Sequence, residues 1–375
     1  MEFLTKRQER FYRNMEKTPL GRELLTDWFM IAKRKRIAYY EDKIAAAIRN
    51  YKENEEWLGD EKAVRRARRA IIFSMFAYGI LPDEYFMFRF AYLSPKGKDS
   101  FITDKVTVAN LHKLNDYAYL NLFNNKYETY KVYGEYYGRQ MLILKSEEDR
   151  AAFLEFAGRN PSFVRKGQTG ACGRGVNKFS CADYPSNDAL FDHFMEEVAE
   201  TGPVVVEELI PQSDIMSSLN PTSVNGIRLL TLLGDDGEVI YKYPFIKIGR
   251  NGSFVDNGGA GGLLALIDEK TGIVVTKGIA ESGESFAVHP DTGTPIPGFQ
   301  IPDWEQALEL GRKLAPITPR VRYIGWDIAH TDSGWVVVEG NFASMFIGQQ
   351  MCDQIGKRKE FCEIVDNLKD LEKTE

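Results

Sequence analysis

A lysine followed by a glycine-rich stretch is the first group in this chain whose residue types suit an anionic ligand. Residues 163–176 read FVRKGQTGACGRGV, so Lys166 ends a predicted strand and Gly170, Gly173 and Gly175 follow it. Glycines let the backbone approach an anion closely, so such a segment can cover phosphates. It is neither a P-loop nor a dinucleotide fingerprint, because no Gly-Lys-Ser/Thr closes it and no helix begins within it. Taken alone, such a segment is weak evidence, because a plain mobile turn is the more frequent explanation.

A second group of polar residues ends an apolar, β-prone segment. Residues 204–211 read VVVEELIP, which places Glu207 and Glu208 at the end of a predicted strand. A carboxylate there could accept from the amino group of an adenine while backbone groups read the ring edge. For this segment alone we favour the simpler interpretation, a buried strand whose acids sit at its solvated end.

Oxygen side chains on a predicted hairpin form the most specific group. Residues 324–328 and 335–341 are β-prone and are joined by a Ser-Gly turn, which brings Asp327 near Glu339 and Asn341. Glu339 and Asn341 are two residues apart, so they share one face of an extended strand. Magnesium binds a few carboxylates and shares its other positions with phosphate and water. We therefore predict a magnesium site here, with a purely structural acid cluster as the alternative.

These three groups, in this order, resemble the ATP-grasp superfamily over roughly residues 125–350. The segments LNPTSVNGIR at 219–228, VDNGGAGG at 255–262, IGWD at 324–327 and YGILP at 78–82 are similar to the sugar-transfer-associated ATP-grasp family. The resemblance implies an α+β ATP-grasp fold in which two α+β lobes sandwich ATP.

The resemblance also implies roles for individual residues. In the nucleotide-binding set, Lys166 matches the lysine on the α- and β-phosphates, and Lys126 is similar to the earlier lysine that helps to hold the nucleotide. The rest of the set is Glu207 toward the adenine amino group, Glu208 and Ile210 through their main chains, Asp214 at the ribose, and the glycines at 170, 173 and 175. Asp327, Glu339 and Asn341 match the magnesium ligands. Besides Lys166, the catalytic candidates are Arg228 and Lys247, which are expected near the γ-phosphate and the reacting carboxylate. Acceptor contacts are expected at Asp256, Asn257, Gly258 and Gly259, although a ligand-free glycine-rich hairpin is an equally fair interpretation of that loop.

The activity implied is that of an ATP- and Mg²⁺-dependent carboxylate-amine ligase. It activates a small-molecule carboxylate as an acyl phosphate, which an amine attacks to give an amide. The family's occurrence among polysaccharide and cell-envelope genes implies a sugar-linked substrate. Two alternatives stay open: a kinase acting on a sugar or lipid hydroxyl, and a non-catalytic nucleotide-binding scaffold recruited to an envelope-assembly complex.

The chain's periodicity divides it into a helical first part and an α+β remainder. Helices are predicted from Leu24 to Tyr51 and from Glu61 to about Tyr78. Beyond an unassigned stretch, strands are predicted at 140–144, 161–166, 203–210, 226–234, 239–248, 324–330 and 335–339, with helices at 146–158, 188–201 and 304–314. We predict three domains: a helical module at 1–100, an N-terminal ATP-grasp lobe with linker at 101–210, and a C-terminal lobe at 211–375. A helical module where typical ligases of this superfamily have a Rossmann-like domain means that the substrate cannot be inferred by analogy.

Charge is distributed unevenly along the chain. The net charge is −6, but residues 1–75 hold eighteen Lys and Arg against twelve Asp and Glu. The basic clusters at 33–36 and 65–69 could meet an anionic membrane surface, a charged glycan or a partner; we favour a solvated helix face. No signal peptide, membrane-spanning stretch, zinc spacing or nucleic-acid signature is apparent, which predicts a cytoplasmic protein with free thiols.

Overall fold

The computed structural model describes residues 4–52, 55–170 and 175–371. The chain divides into two compact units. The first comprises Met1–Leu114, Ile279–Phe286 and Met345–Glu375, and the second comprises Asn115–Gly278 and Ala287–Ser344. The three-domain division drawn from the sequence stays a prediction.

The described residues form helices and strands in the following order. The helices are α1 Lys6–Glu16, α2 Pro19–Ala32, α3 Arg34–Tyr51, α4 Glu61–Tyr78, α5 Pro82–Met87, α6 Pro95–Asp99, α7 Asp104–Leu114, α8 Leu120–Asn124, α9 Lys126–Tyr133, α10 Arg150–Arg159, α11 Asn187–Thr201, α12 Asp214–Ser217, α13 Trp304–Leu314, α14 Ile347–Met351 and α15 Arg358–Asn367. The strands are β1 Met141–Leu144, β2 Ser162–Gly167, β3 Asn177–Ser180, β4 Val204–Glu208, β5 Ile227–Leu233, β6 Val239–Tyr241, β7 Phe245–Ile248, β8 Leu263–Leu266, β9 Gly278–Ala280, β10 Ser285–Phe286, β11 Tyr323–Thr331 and β12 Gly334–Asn341.

The first unit is helical, as the sequence predicts, but the helix expected from Leu24 to Tyr51 is two helices. The Thr18 hydroxyl caps the start of α2, and the backbone leaves helical geometry at Lys33 (φ −113°, ψ 21°) before α3 begins. The break follows no proline or glycine, so local sequence gave no signal for it. None of the described helices is both long and apolar enough to cross a membrane.

Helix α4 has the bounds that the sequence predicts, because both of its ends are encoded locally. The Asp60 carboxylate accepts from the backbone N–H of Ala63 at 2.6 Å, which caps the first turn. Gly79 ends the helix in the left-handed region (φ 71°), where a glycine carries no steric penalty.

The second unit contains two antiparallel sheets. The smaller has the strand order β1-β4-β2-β3 and is covered by α10 and α11, whose buried residues Phe153 and Phe194 pack against Phe163 of β2. Within this unit the larger sheet runs β8-β7-β5-β11-β12, and β6 also pairs with β5.

The larger sheet brings the predicted hairpin together and corrects one predicted strand. β11 pairs with β12 antiparallel, with Asp327 opposite Glu339 and Gly325 opposite Asn341. The strand predicted at 239–248 is interrupted, because Tyr243 has a positive φ of 52° and Pro244 follows it. The two resulting strands, β6 and β7, each pair with β5.

Candidate functional site

The second unit contains a cleft with a volume of about 370 Å³, within the range of small-molecule sites. Its walls come from β2, β4, β7, β11 and β12 and from the loops that follow β2, β4 and β7. Eleven of the residues nominated from the sequence line it: Lys126, Lys166, Gly170, Glu207, Glu208, Ile210, Lys247, Asp256, Asn257, Asp327 and Glu339.

At one wall of the cleft, Lys166 is held by a buried carboxylate. Glu207 pairs directly with Val164, so Lys166, two residues further along β2, is its diagonal neighbour on the same face. The Lys166 ammonium forms an ion pair with Glu207. Arg139, only 2 % exposed, binds the same carboxylate through its Nη2 at 3.0 Å. Burial raises the pKa of Glu207, but the two cations outweigh it and hold that pKa below its usual value.

Arg139 also ties the smaller sheet to the larger one. Its Nη1 donates to the backbone carbonyls of Val337 at 2.7 Å and Tyr137 at 3.0 Å. The guanidinium therefore supports β12, the strand that carries Glu339, and Glu207, the partner of Lys166, at the same time.

Lys126 meets the first part of the glycine-rich segment. Asn125 caps the start of α9, and the Lys126 side chain donates to the carbonyl of Gly170 at 2.7 Å. The backbone N–H of Lys126 also donates to the carbonyl of Gln168 at 3.0 Å. Burial lowers the pKa of Lys126. This lysine and the segment after β2 are thus held together.

Asp327 lies in a network of opposite charges on the floor of the cleft. Arg228, opposite it on β5, donates from Nε at 2.5 Å and from Nη2 at 3.0 Å, one bond to each carboxylate oxygen. Lys247 lies 3.2 Å from Oδ2 of Asp327 and 3.5 Å from Oδ1 of Asp256. Burial raises the pKa of Asp327, but Arg228 and Lys247 outweigh it and hold that pKa well below its usual range. Asp327 is therefore ionised.

Glu339 stands beside Asp327, and the pair suits a hard cation. Burial, and then the neighbouring Asp327 carboxylate, raise the pKa of Glu339. Such crowding of two carboxylates is relieved by a divalent cation, and the oxygen-only donor set is one that magnesium accepts. No three His, Cys, Asp or Glu side chains within residues 4–52, 55–170 and 175–371 are arranged to hold a metal. The predicted ligand set thus has two carboxylates, those of Asp327 and Glu339, and the amide of Asn341.

The loop after β7 contributes two of its four nominated residues to the cleft. Asp256 accepts from the backbone N–H of Gly226 at 2.9 Å, and burial raises the pKa of its carboxyl group. The Asn257 carbonyl accepts from the N–H groups of Ala260 and Gly262, which closes the turn. Gly258 and Gly259 do not line the cleft.

Other nominated residues lie away from the cleft surface. Gly175, Asp214, Arg228 and Asn341 are absent from its lining. Asp214 begins α12 as an exposed residue, and Asn341 donates to the carbonyl of Gly325 at 3.1 Å. Arg228 reaches the site only through Asp327. Gly173 lies outside the described residues.

Several residues at or behind the site were not nominated from the sequence, among them Arg139, Lys178 and Ser344. Arg139 and Lys178 gave no local signal, since an arginine before a strand and an exposed lysine on one are both common. Ser344 accepts from Nη1 of Arg228 at 3.1 Å and so helps to hold it against Asp327. Ser344 can lie this close to β11 because residue 325 is a glycine. A Cβ added at Gly325 would lie 2.3 Å from the Ser344 hydroxyl.

Comparison with protein families shows to which family the chain belongs. The family model described as sugar-transfer-associated ATP-grasp matches residues 108–366. The chain belongs to this family. The ATP-grasp match includes every cleft residue named above and excludes α1 to α6. No curated protein matches the chain.

Solved structures of ligases are similar to the chain at low identity. An N5-carboxyaminoimidazole ribonucleotide synthetase solved with ADP is 12 % identical with a TM-score of 0.41, covering 67 % of this chain and 53 % of that one. The D-alanyl-alanine synthetase A of Vibrio cholerae is 12 % identical with a TM-score of 0.40, covering 66 % and 65 %. D-cycloserine synthetase is 12 % identical with a TM-score of 0.42, covering 76 % and 82 %. The chain thus spans less than two thirds of the length of the first two.

Proposed function

We propose that this ATP-grasp protein is an ADP-forming ligase that joins a carboxylate to an amine. The observation that carries the proposal is the convergence in one cleft of three lysines, Lys126, Lys166 and Lys247, with the carboxylates Asp327 and Glu339. Cations that face a pair of carboxylates suit a polyphosphate and its metal. A cluster of charges with a purely structural role would not need to line an open cleft.

The lysines are positioned before nucleotide arrives. Lys166 is oriented by Glu207, and Lys247 lies between Asp256 and Asp327. Phosphoryl-transfer catalysis relies on positioning and on neutralising negative charge, so side chains that are already held reduce the reorganisation needed. We assign Lys126 and Lys166 to the phosphates. We assign Glu207 to the orientation of Lys166, in place of the adenine contact expected from the sequence.

The chemistry that this arrangement serves is the activation of a carboxylate. An oxygen of the substrate carboxylate attacks the γ-phosphorus of ATP, the bond to the β–γ bridging oxygen breaks, and ADP leaves. The amine then attacks the acyl carbon, inorganic phosphate leaves with the electron pair, and the amine loses its proton to solvent. Lys247 is the cation that we assign to the transferring phosphoryl group, and Arg228 keeps Asp327 ionised behind it.

Asp327, Glu339 and Asn341 are the residues that we assign to magnesium, which when bound offsets the charge of the phosphate oxygens. Arg139 supports this group from behind through the backbone carbonyl of Val337. We assign the acceptor contacts to the loop that carries Asp256 and Asn257, which line the cleft. The occurrence of the family near polysaccharide genes favours a sugar-linked carboxylate or amine.

The test is turnover with a panel of substrates. Purified protein with ATP and magnesium is incubated with pairs drawn from uronic acids, amino acids and amines. Release of ADP and phosphate is measured, and the amide is detected by mass spectrometry. We expect one pair to stimulate equal release of ADP, phosphate and amide. A stable phosphoester formed without free phosphate would instead identify a kinase, and ATP binding without turnover would identify a scaffold.

Variants connect turnover to the cleft. Lys166→Met and Glu339→Gln are each expected to lower kcat/KM at least about 100-fold, since the first removes a cation assigned to the phosphates and the second removes a carboxylate assigned to magnesium. Lys145→Met and Glu148→Gln are matched controls, because both residues are exposed on the same unit and neither lines the cleft. Equal turnover by the cleft variants and the controls would contradict the assignment.

A further inference from the structure

An exposed apolar stripe runs along α2 in the first unit. Leu20, Leu24, Trp28 and Ile31 are 71 %, 55 %, 49 % and 78 % exposed. They recur at steps of four, four and three residues, which places them on one face of the helix. At 1.5 Å per residue the stripe is about 16 Å long. A soluble helix normally exposes its polar face, so this orientation needs an explanation.

The stripe is exposed because α2 packs through its other side. Phe29 is 1 % exposed and lies 5.2 Å, between ring centroids, from Tyr12 of α1 and from Phe76 of α4. Leu25, four residues earlier, is 4 % exposed. The helix therefore has two apolar faces, of which one forms the core and the other is uncovered.

The charges around the stripe favour an anionic partner surface. Residues 5–36 hold ten Lys and Arg against four Asp and Glu, although the whole chain carries −6. The basic run continues directly from the end of α2 with the exposed residues Arg34, Lys35 and Arg36. The two acidic residues of α2, Glu23 and Asp27, share Arg69 at 2.6 Å and 2.8 Å, which offsets part of their charge.

We propose that this face of α2 docks on an anionic membrane surface. An interfacial helix buries an apolar face with a tryptophan at the headgroup boundary while basic residues meet anionic lipid, and α2 with the start of α3 supplies both. The stripe is short, so binding is peripheral and reversible. This inference is independent of the ligase proposal, because it concerns another unit and another measurement.

The experiment is flotation of the full chain with vesicles. Vesicles of phosphatidylglycerol and phosphatidylcholine in equal parts are compared with vesicles of phosphatidylcholine alone. We expect binding to the mixed vesicles that is lost as salt is raised, and a blue shift of tryptophan emission that Trp28→Phe removes. Leu24→Gln with Ile31→Gln is expected to weaken binding more than about tenfold. Arg34→Gln with Lys35→Gln is expected to weaken it roughly 25-fold, at about fivefold for each cation.

Matched controls come from the same unit. Ile355→Gln alters a residue that is 58 % exposed, and Lys359→Gln alters a side chain that is 89 % exposed, both away from α2. Both controls are expected to bind like the wild type, and circular dichroism checks that every variant is folded. The proposal is overturned if the wild type ignores anionic vesicles or if folded stripe variants bind them equally. It is also overturned if the stripe variants abolish only self-association in sedimentation equilibrium, because a second copy then covers the face.

Discussion

Replacing Arg139 by methionine tests the link between the two sheets of the second unit. The guanidinium and its partner Glu207 are 2 % and 3 % exposed in their side chains, so the change leaves a buried carboxylate with Lys166 alone. It also removes the donors to the carbonyls of Val337 and Tyr137.

The magnitude follows from these contacts. Breaking a buried, hydrogen-bonded ion pair from one side costs about 3–5 kcal/mol in the free energy of unfolding. Arg139→Met with Glu207→Gln removes the Arg139–Glu207 pair, and the remaining costs are about 2 kcal/mol for the carbonyls that lose their donors and the loss of the carboxylate that pairs with Lys166. The two single changes break the same ion pair, so the effect of the double variant should fall short of the sum of the single changes.

The assay is urea unfolding followed by tryptophan emission, since Trp304, Trp326 and Trp335 all lie in the second unit. Arg159→Met is the matched control, because its pair with Glu155 is 61 % and 72 % exposed and its loss should change stability by no more than about 0.5 kcal/mol. An Arg139→Met cost below about 1 kcal/mol, or additive single and double effects, would refute the reasoning.

Three further predictions concern stability. Burial raises the pKa of Glu84 to about 8 in the folded protein. The contribution of Glu84 to the free energy of unfolding is therefore full below its unfolded-state pKa near 4.5 and is lost as pH rises through 8. Between pH 5 and pH 8 the free energy of unfolding of the wild type should fall by up to about 4 kcal/mol because of Glu84, and Glu84→Gln should abolish this fall. An unchanged dependence of the unfolding free energy on pH in the variant would contradict this. Gly325→Ala should lower the free energy of unfolding by about 2 kcal/mol or more and weaken ATP binding. The reason is that its Cβ would lie 2.3 Å from the hydroxyl of Ser344, which must then move. An unchanged melting temperature and an unchanged ATP affinity would count against it. Gly79→Ala should lower the free energy of unfolding, measured by denaturant titration, by at least about 1 kcal/mol. Its φ is +71° and the added Cβ would lie 2.4 Å from Cβ of Lys105. A stabilised variant would disprove that account.

The sequence predicted best those helices and strands whose ends are determined by residues close by in the chain. Asp60 and Gly79 define α4, and the turn before Gly334 defines the hairpin that brings Asp327 to Glu339. The pairing of Asp327 with Glu339 could be predicted because a hairpin brings its two strands together whatever the rest of the fold does.

What sequence did not predict depends on distant contacts. Arg139 acquires its role only because β12 presents the Val337 carbonyl and β4 presents Glu207 at the same place. The ion pair of Glu207 with Lys166 could not be predicted either, because the register between β2 and β4 is not known before the two strands pair. The break at Lys33 follows from packing, since nothing in the local sequence ends a helix there.

Titration calorimetry with a non-hydrolysable ATP analogue, with and without magnesium, tests the central claim most directly. We predict that magnesium strengthens binding to the wild type. Lys166→Met should weaken binding roughly 10- to 100-fold and Glu339→Gln should abolish the effect of magnesium, whereas Glu148→Gln changes neither. Wild-type affinity in both cleft variants, or no effect of magnesium on the wild type, would contradict the account.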